Sequence, residues 1–495
     1  MFCLLMGDFV STAQQTQTDF GRNRIQLTRL DWSFYKTEQM DIYFYLGGQE
    51  LGKYIIKNGA DQIKWVENKL DYRISNKIQV LLFNDLNDVY QTNLGIKDEA
   101  YNIGGETKIL GNKIFLYFNG DHSHLMDQLR KGLITVFIND MMYGGDIQDV
   151  VQNAVLMNLP DWYFKGLVEY LTEGWSSESD EKLRDGILSK RYKRFMKVNG
   201  EDPVFSGLSM WHFISKKYGD AAVYNVMYLT RVNRSLESGF LFVLGKTMKE
   251  VLAEWYAFYK SNYLISNNQK ESYNDANRLN KRFKKHKQHY NFKLGPYGQK
   301  LAYVTNELGR YKLRIMDFET RKKKTVLRGG YKSIDKILDK SFPIIDWADD
   351  GGLLSVIYEH KDDMYMLDYN IKEKTKEKIK IEKFQKILDF SYMGNNDNIL
   401  ISAVNKGQSD LYTMYKPTQR LKRITNDPFD DLEPRYVKGS DFEGILYVSN
   451  RNNDTLDLPK NTFFDMHEFD VYYYDLQKKR ETLARITETP GVREK

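Results

Sequence analysis

Two rhythms of apolar residues divide the chain, one on each side of about residue 264. Before it, short alternating runs give way to helical spacing. Met40-Asp-Ile-Tyr-Phe-Tyr45 alternates and predicts a strand. From Gly48 to Leu70, the residues Leu51, Tyr54, Ile55, Ile63, Val66 and Leu70 recur at helical spacing, which predicts a helix with one buried face. Ile78–Phe83 reads as a strand, and Gly104–Leu110 and Lys113–Phe118 read as two more around a Gly111-Asn112 turn. His124–Met142 reads as a helix, and Pro160 opens the next. Further helical stretches are expected around Arg184–Phe195, Ser206–Lys217 and Lys246–Lys260. A small sheet followed by helices predicts an α/β (α+β) domain over residues 31–263.

After Tyr290 the rhythm changes to short strands separated by turns. Four units recur at roughly 45–50 residues, the size of a propeller blade. Each unit runs strand, Gly/Asp turn, strand, polar turn, strand, and then a basic strand such as Arg420-Leu-Lys-Arg-Ile-Thr425. The paired segments are Leu294–Val304 with Tyr311–Phe318, Ile345–Ile357 with Met364–Tyr369, Leu388–Ser402 with Asp410–Met414, and Pro434–Val448 with Phe469–Asp475. The stretch Arg485-Ile-Thr-Glu-Thr-Pro490 echoes Arg423-Ile-Thr-Asn-Asp-Pro428, as if it entered a further blade. An all-β, propeller-like domain is therefore expected over residues 291–495, with about four blades and an incomplete ring. The remaining blades are expected from a longer parent chain or from a partner, because an open ring leaves a strand edge unpaired. Residues 264–290 form the expected linker, polar and then basic at Lys281-Arg-Phe-Lys-Lys-His-Lys287.

Composition narrows the class. The chain has 495 residues, of which 41% are hydrophobic and 14% aromatic, enough to fill substantial cores. Net charge is +6 from 73 basic and 67 acidic residues, a mixed surface that gives no case for a nucleic-acid partner. The basic linker is read as a solvated segment, with contact to acidic lipid headgroups or to an acidic protein as the alternative. Cys3 is the single cysteine, so no internal disulfide forms. Residues 1–30 read as a signal-like or extended segment: an apolar start, then Ser11 and Ala13 at a cleavage-like position. No other stretch is apolar for long enough to cross a bilayer.

The repeat units resemble the TolB-like or PD40 β-propeller repeat. Gly298, Leu301, Ala302, Tyr303 and Asp317 fit its pattern, while Tyr297 stands where the turn aspartate is usual. The first domain resembles gluzincin-like peptidases of the MA family from about residue 40 to 260. In that family a helix reading Pro-x-Trp-x-x-Glu-Gly-x-x-x-Tyr supplies a zinc-binding glutamate. Pro160, Trp162, Gly166 and Tyr170 match it, and Lys165 stands at the ligand position. Two further stretches, Phe205–Gly219 and Leu236–Trp255, are similar to later elements of the family.

The family's His-Glu-x-x-His helix aligns before Asn139-Asp140, with Lys131 and Thr135 at the histidine positions and Gly132 at the glutamate. An ammonium has three donors and no acceptor, and no His or Glu occurs between Leu125 and Asp149. All four zinc-site functions are missing, so the resemblance implies a pseudoenzyme with no catalytic residue, cofactor or metal. A weaker alternative is a hydrolase using a non-standard site, with His122 and His124 as metal ligands and Glu106 beside them. The competing reading makes this a polar turn that caps the helix through Asp121 or Ser123. Glu169 and Glu173 read as a surface carboxylate pair, and His212 as a histidine at a core edge. Gly207-Leu-Ser-Met-Trp211 is a poor match to a serine-hydrolase elbow, and no P-loop or dinucleotide fingerprint occurs.

A metal-free peptidase groove suits an extended peptide, and a propeller presents rigid loops to proteins. The combination resembles exported proteins of Bacteroidota-type bacteria. It implies a protein-binding scaffold in the periplasm or at the outer membrane, beside secretion or gliding machinery. The expected partners are envelope proteins or extended peptide segments, with peripheral membrane contact but no membrane span. A further idea, glycan binding by the propeller, rests on its many tyrosines and on Trp347.

Overall fold

The computed structural model describes residues 26, 29–92, 108–110, 112–144, 159–267, 279, 287–332, 339–361, 363–451, 456, 468–477, 483–489 and 493–494. The signal-like start with Cys3, the residues Gly104, Gly105, Glu106, Gly111 and Gly145, and the basic run from Lys281 to His286 lie outside the described residues.

Five strands form the first sheet: β1 (Ser33–Lys36), β2 (Met40–Phe44), β3 (Ile78–Phe83), β4 (Lys108–Leu110) and β5 (Lys113–Tyr117), in the order β1-β2-β3-β5-β4. The three central strands are parallel, and both edge strands are antiparallel. Helix α1 (Gln49–Leu70) makes the crossover between β2 and β3, and the short α2 (Leu86–Gln91) follows β3. Helix α3 (His122–Tyr143) packs beside α1 on the sheet. Its N-cap is Asp121, whose carboxylate accepts from the Ser123 and His124 backbone N–H groups, so the capping reading of this turn holds.

Seven helices complete the domain among the described residues: α4 (Asp161–Thr172), α5 (Ser177–Leu188), α6 (Phe195–Glu201), α7 (Pro203–Tyr218), α8 (Asp220–Asn233), α9 (Leu236–Leu244) and α10 (Met248–Asn267). The expected helix over Arg184–Phe195 is not continuous. It stops at Leu188, Lys190 takes a positive φ of 62°, and Tyr192 folds back so that its N–H donates to the Gly186 carbonyl at 2.7 Å. Gly186 is needed there, because a Cβ would overlap the Tyr192 ring.

Four consecutive four-stranded meanders follow. Blade 1 is β6 (Gln288–Leu294), β7 (Lys300–Glu307), β8 (Arg310–Asp317) and β9 (Lys323–Gly329). Blade 2 is β10 (Ile344–Trp347), β11 (Leu353–His360), β12 (Asp363–Asn370) and β13 (Lys376–Ile381). Blade 3 is β14 (Lys386–Tyr392), β15 (Asn398–Asn405), β16 (Gln408–Tyr415) and β17 (Arg420–Arg423). Blade 4 is β18 (Asp431–Lys438), β19 (Glu443–Ser449), β20 (Asp470–Asp475) and β21 (Leu483–Arg485). The first strands of successive blades adjoin, and apolar clusters fill the spaces between neighbouring blades. A strand between two blades buries both faces, so β15 is buried throughout its middle instead of alternating. Every pairing joins strands of the same blade, so among the described residues no strand ties blade 1 to blade 4.

Blades 3 and 4 repeat one polar device. Arg423 pairs with Asp410 at 2.5 Å, and Thr425 accepts the Leu411 N–H at 2.9 Å. Arg485 pairs with Asp470 at 2.5 Å, and Thr487 accepts the Val471 N–H at 2.8 Å. The echo of Arg-Ile-Thr in the sequence is therefore a repeated hydrogen-bonding role: it ties the outer strand of a blade to its neighbour.

Candidate functional site

The expected metal locus lies where α3 faces α4. Tyr163 and Trp162 are buried on α4, and Trp211 of α7 donates its indole N–H to the Tyr163 carbonyl at 3.0 Å. Gly166 and Gly207 meet where α4 crosses α7. A Cβ on Gly166 would overlap the Gly207 backbone, and one on Gly207 would overlap the Trp162 carbonyl. The Pro-Trp-Gly-Tyr pattern of α4 thus has a packing role that is independent of any metal.

The four positions aligned with zinc chemistry are placed as follows. Gly132 is buried inside α3. The Thr135 hydroxyl donates to the Lys131 carbonyl at 2.8 Å, the ordinary bond back to its own helix. Lys131 reaches across to α4 and pairs with Glu169 at 2.6 Å, their side chains 21% and 17% exposed. Lys165 stays on its own helix and pairs with Asp161 at 3.1 Å on the outer side. Glu169 is therefore no surface carboxylate, as the sequence reading had it. It is the countercharge of Lys131, one turn along from Lys165. A cation, a glycine and a threonine occupied by its own backbone do not make a zinc site, so the residues present do not fit the metal that the peptidase resemblance would imply. Among the described residues no group of three or more His, Cys, Asp or Glu is placed to hold a metal ion.

His122 and His124 diverge from the first turn of α3. His122 is buried, lies against Tyr54 and Phe118, and binds Asp430 of the propeller. His124 shares a 3.0 Å contact with Gln128 and faces Tyr117. Burial pushes the His124 imidazole below its ordinary value, partly offset by Asp121 and Asp127. Side chains two apart on a helix do not face one another, so these two imidazoles take separate partners.

His122 belongs to a seam that joins the two domains. The Asp430 carboxylate accepts from the His122 backbone N–H at 2.7 Å, lies 2.7 Å from its Nδ1, and accepts from Asn450 at 3.0 Å. Ser409 donates to the Gly120 carbonyl at 2.6 Å, and Arg493 pairs with Asp121 at 2.6 Å. Further along, the buried Lys386 pairs with Asp85 at 2.8 Å and lies 3.8 Å from Asp339, while Asn87 donates to Glu359. Apolar contacts continue the seam: Leu388 packs on the first domain, and Val404 is part of that domain's main core. A cavity of about 530 Å³ opens beside it, lined by Asp85, Asp88, Glu359, Asp363, Lys380 and Glu382 among others. Burial and the neighbouring Asp85 push the Glu359 carboxyl well above its ordinary value, with Lys386 opposing.

A second cavity, of about 480 Å³, lies between α1, α4, α7 and α8. The Trp175 indole lies flat on the His212 imidazole, with ring centres 4.5 Å apart and planes 6° from parallel. His212 was expected at a core edge. It occupies one, yet it also lines this cavity. Burial, assisted by Lys216, pushes its pKa down to about 4.

No family model matches the chain, and no curated protein matches it. Solved structures do. TolB from Acinetobacter baumannii is similar at 21% identity and a TM-score of 0.28, over 39% of this chain and 43% of that one. A TolB-like protein from Agrobacterium tumefaciens is similar at 12% identity and a TM-score of 0.25, over 40% and 80%. The β-propeller domain of the Trilobed protease from Pyrococcus furiosus is similar at 13% identity and a TM-score of 0.26, over 39% and 55%. The chain thus spans less than half the length of the A. baumannii TolB it matches.

Sequence reasoning missed the Lys131–Glu169 pair and the seam. The first had a visible signal, since Lys131 and Glu169 are opposite charges on two helices expected to face each other. The second had none, because Asp430 lies 308 positions from His122. Trp347 is a correction. It is 5% exposed and donates to the Lys293 carbonyl between blades 1 and 2, so it offers no face to a glycan.

Proposed function

We propose that this chain is a non-catalytic protein-binding scaffold, built on a peptidase-like helical domain of the gluzincin type and a TolB-like propeller. The observation that carries the reading is the Lys131–Glu169 ion pair, at the locus where such a peptidase would hold zinc. The pair spends the local carboxylate on a lysine, and the aligned positions Lys131, Gly132 and Thr135 of α3 offer no metal ligand. The buried seam supports it further, since a scaffold presents surfaces from both domains together. Exported placement in the periplasm or at the outer membrane of a Bacteroidota-type cell, beside secretion or gliding machinery, belongs to the same proposal. So do envelope proteins or extended peptides as partners, and blades supplied by a longer parent or a partner to extend the arc. No helix among the described residues is long and apolar enough to cross a membrane.

Elemental analysis and a peptidase assay on the purified protein test the reading together. Substoichiometric zinc and no peptide cleavage are expected. Stoichiometric zinc that is lost in the His122→Ala, His124→Ala double variant, together with cleavage, would overturn it. On the binding side, site-specific crosslinking in intact cells is expected to yield discrete adducts with envelope proteins.

A further inference from the structure

We infer that the cavity between α1, α4, α7 and α8 binds a small carboxylate carrying a hydroxyl or N–H donor close to its acid group. The argument starts from one hydrogen atom. The Tyr259 hydroxyl donates to the Ser209 carbonyl at 2.9 Å and lies 2.7 Å from His212 Nδ1. Its single proton is committed to Ser209, so the imidazole must be the donor in the second contact. That fixes the proton on Nδ1 and leaves Nε2 as a bare acceptor. His212 lines the cavity, and no donor meets Nε2 among the described residues. With its pKa pushed down to about 4, the ring is neutral near pH 7 and keeps that acceptor. A ligand that fills the cavity has to bring a donor to it.

Charge sets the other half. Lys69 lies over the Tyr224 ring, and Lys216 is exposed at the rim. Neither has a carboxylate partner among the described residues, whereas Asp220 already accepts from the Ser215 hydroxyl. Two ammoniums against one engaged carboxylate favour an anion. Trp65 and Trp175 add aromatic surface to the lining. The volume of about 480 Å³ suits a molecule of one or two rings or residues. A sugar acid and an N-acylated acidic amino acid both carry the required chemistry.

Calorimetric titration at low salt, read beside tryptophan fluorescence, tests this with D-glucuronate and N-acetyl-L-glutamate. D-glucose and N-acetyl-L-glutamine serve as neutral counterparts, and inorganic phosphate as a bare anion. At least one carboxylate is expected to bind about tenfold tighter than its neutral counterpart, and the one that does identifies the source. Lys69→Gln and Lys216→Gln should each weaken it about threefold. His212→Phe keeps the stack, removes the acceptor and should weaken it about tenfold. Failure of both carboxylates to saturate overturns the inference, as does equal binding of the neutral probes or of phosphate. Unchanged affinity in all three variants does the same. If His212→Phe fails to fold, the two lysine variants decide, because both positions are exposed.

Discussion

Lys131 gains from Glu169 what an exposed lysine would gain from water. Both side chains are mostly covered, so losing one partner leaves the other poorly solvated. A double-mutant cycle with Lys131→Met and Glu169→Gln should show a coupling of about 1 kcal/mol by urea denaturation. A coupling near zero would mean the two charges are held by solvent and not by each other. Asp430 is a stronger case. It is fully buried, accepts from the His122 backbone N–H and from Asn450, and lies 2.7 Å from His122 Nδ1. Asp430→Ala should cost about 3 kcal/mol or more, because it strands those donors inside the seam. At this scale the sequence was readable only for residue type. Lysine at position 131 is no ordinary metal ligand, and the only pointer to its partner was the opposite charge of Glu169 on the next helix.

Helix α4 shows how an element acquires its fixed positions. Gly166 and Gly207 allow two backbones to touch, and the neighbouring Trp162 and Trp211 close the crossing. Gly207→Ala should destabilise by about 2–4 kcal/mol, because the added methyl meets backbone that cannot move aside. Gly200→Ala is the control with the opposite sign. It lies in α6 with open space around it, and should stabilise by about 0.5–1 kcal/mol through helix propensity. Thermal and urea denaturation of the two variants would decide, and equal shifts would show that the crossing is looser than described. Helices α1, α3 and α7 were legible because apolar residues recur along each of them, and α3 and α7 also start on the capping aspartates Asp121 and Asp202. The Tyr192 turn, α8 and α9 were not. The break after Leu188 depends on a ring returning to Gly186, and exposed apolar residues such as Tyr228 and Phe242 blur the faces of α8 and α9.

At the scale of the whole molecule, a seam of buried contacts joins the two domains. Val404 contributes to the first domain's core, and Lys386, Asp430 and Ser409 bind that domain from the propeller. Unfolding followed by circular dichroism, which is dominated by the helical domain, and by a probe in the propeller should give one coincident transition. In Asp430→Ala the two transitions should separate. Glu359 makes this unit sensitive to pH. Its pKa is raised from an ordinary 4.5 to about 8 by burial first and then by Asp85, with Asp339 adding and Lys386 and Asn87 opposing. The native state therefore holds a proton that the unfolded chain releases. Glu359 contributes most below about pH 4.5, and that contribution falls as pH rises towards about 8. Glu359→Gln should flatten this part of the stability–pH curve, measured by urea unfolding at several pH values. An unchanged slope would assign the dependence to other acids.

What the chain determined by itself was local: the strand and helix periods, the Gly turns, and the four-fold recurrence of blade-sized units, the last two ending in Arg-Ile-Thr. These are set by spacing within a few residues, where steric fit and alternation act. It also showed that the positions aligned with a zinc helix hold a lysine, a glycine and a threonine, none of them an ordinary zinc ligand. Tertiary structure alone decided that Lys131 meets Glu169, that Trp347 is sealed between blades, that His212 keeps a bare acceptor, and that the first residue of α3, His122, meets Asp430 of the propeller. Those outcomes depend on contacts between residues far apart in sequence, and burial sets their strength.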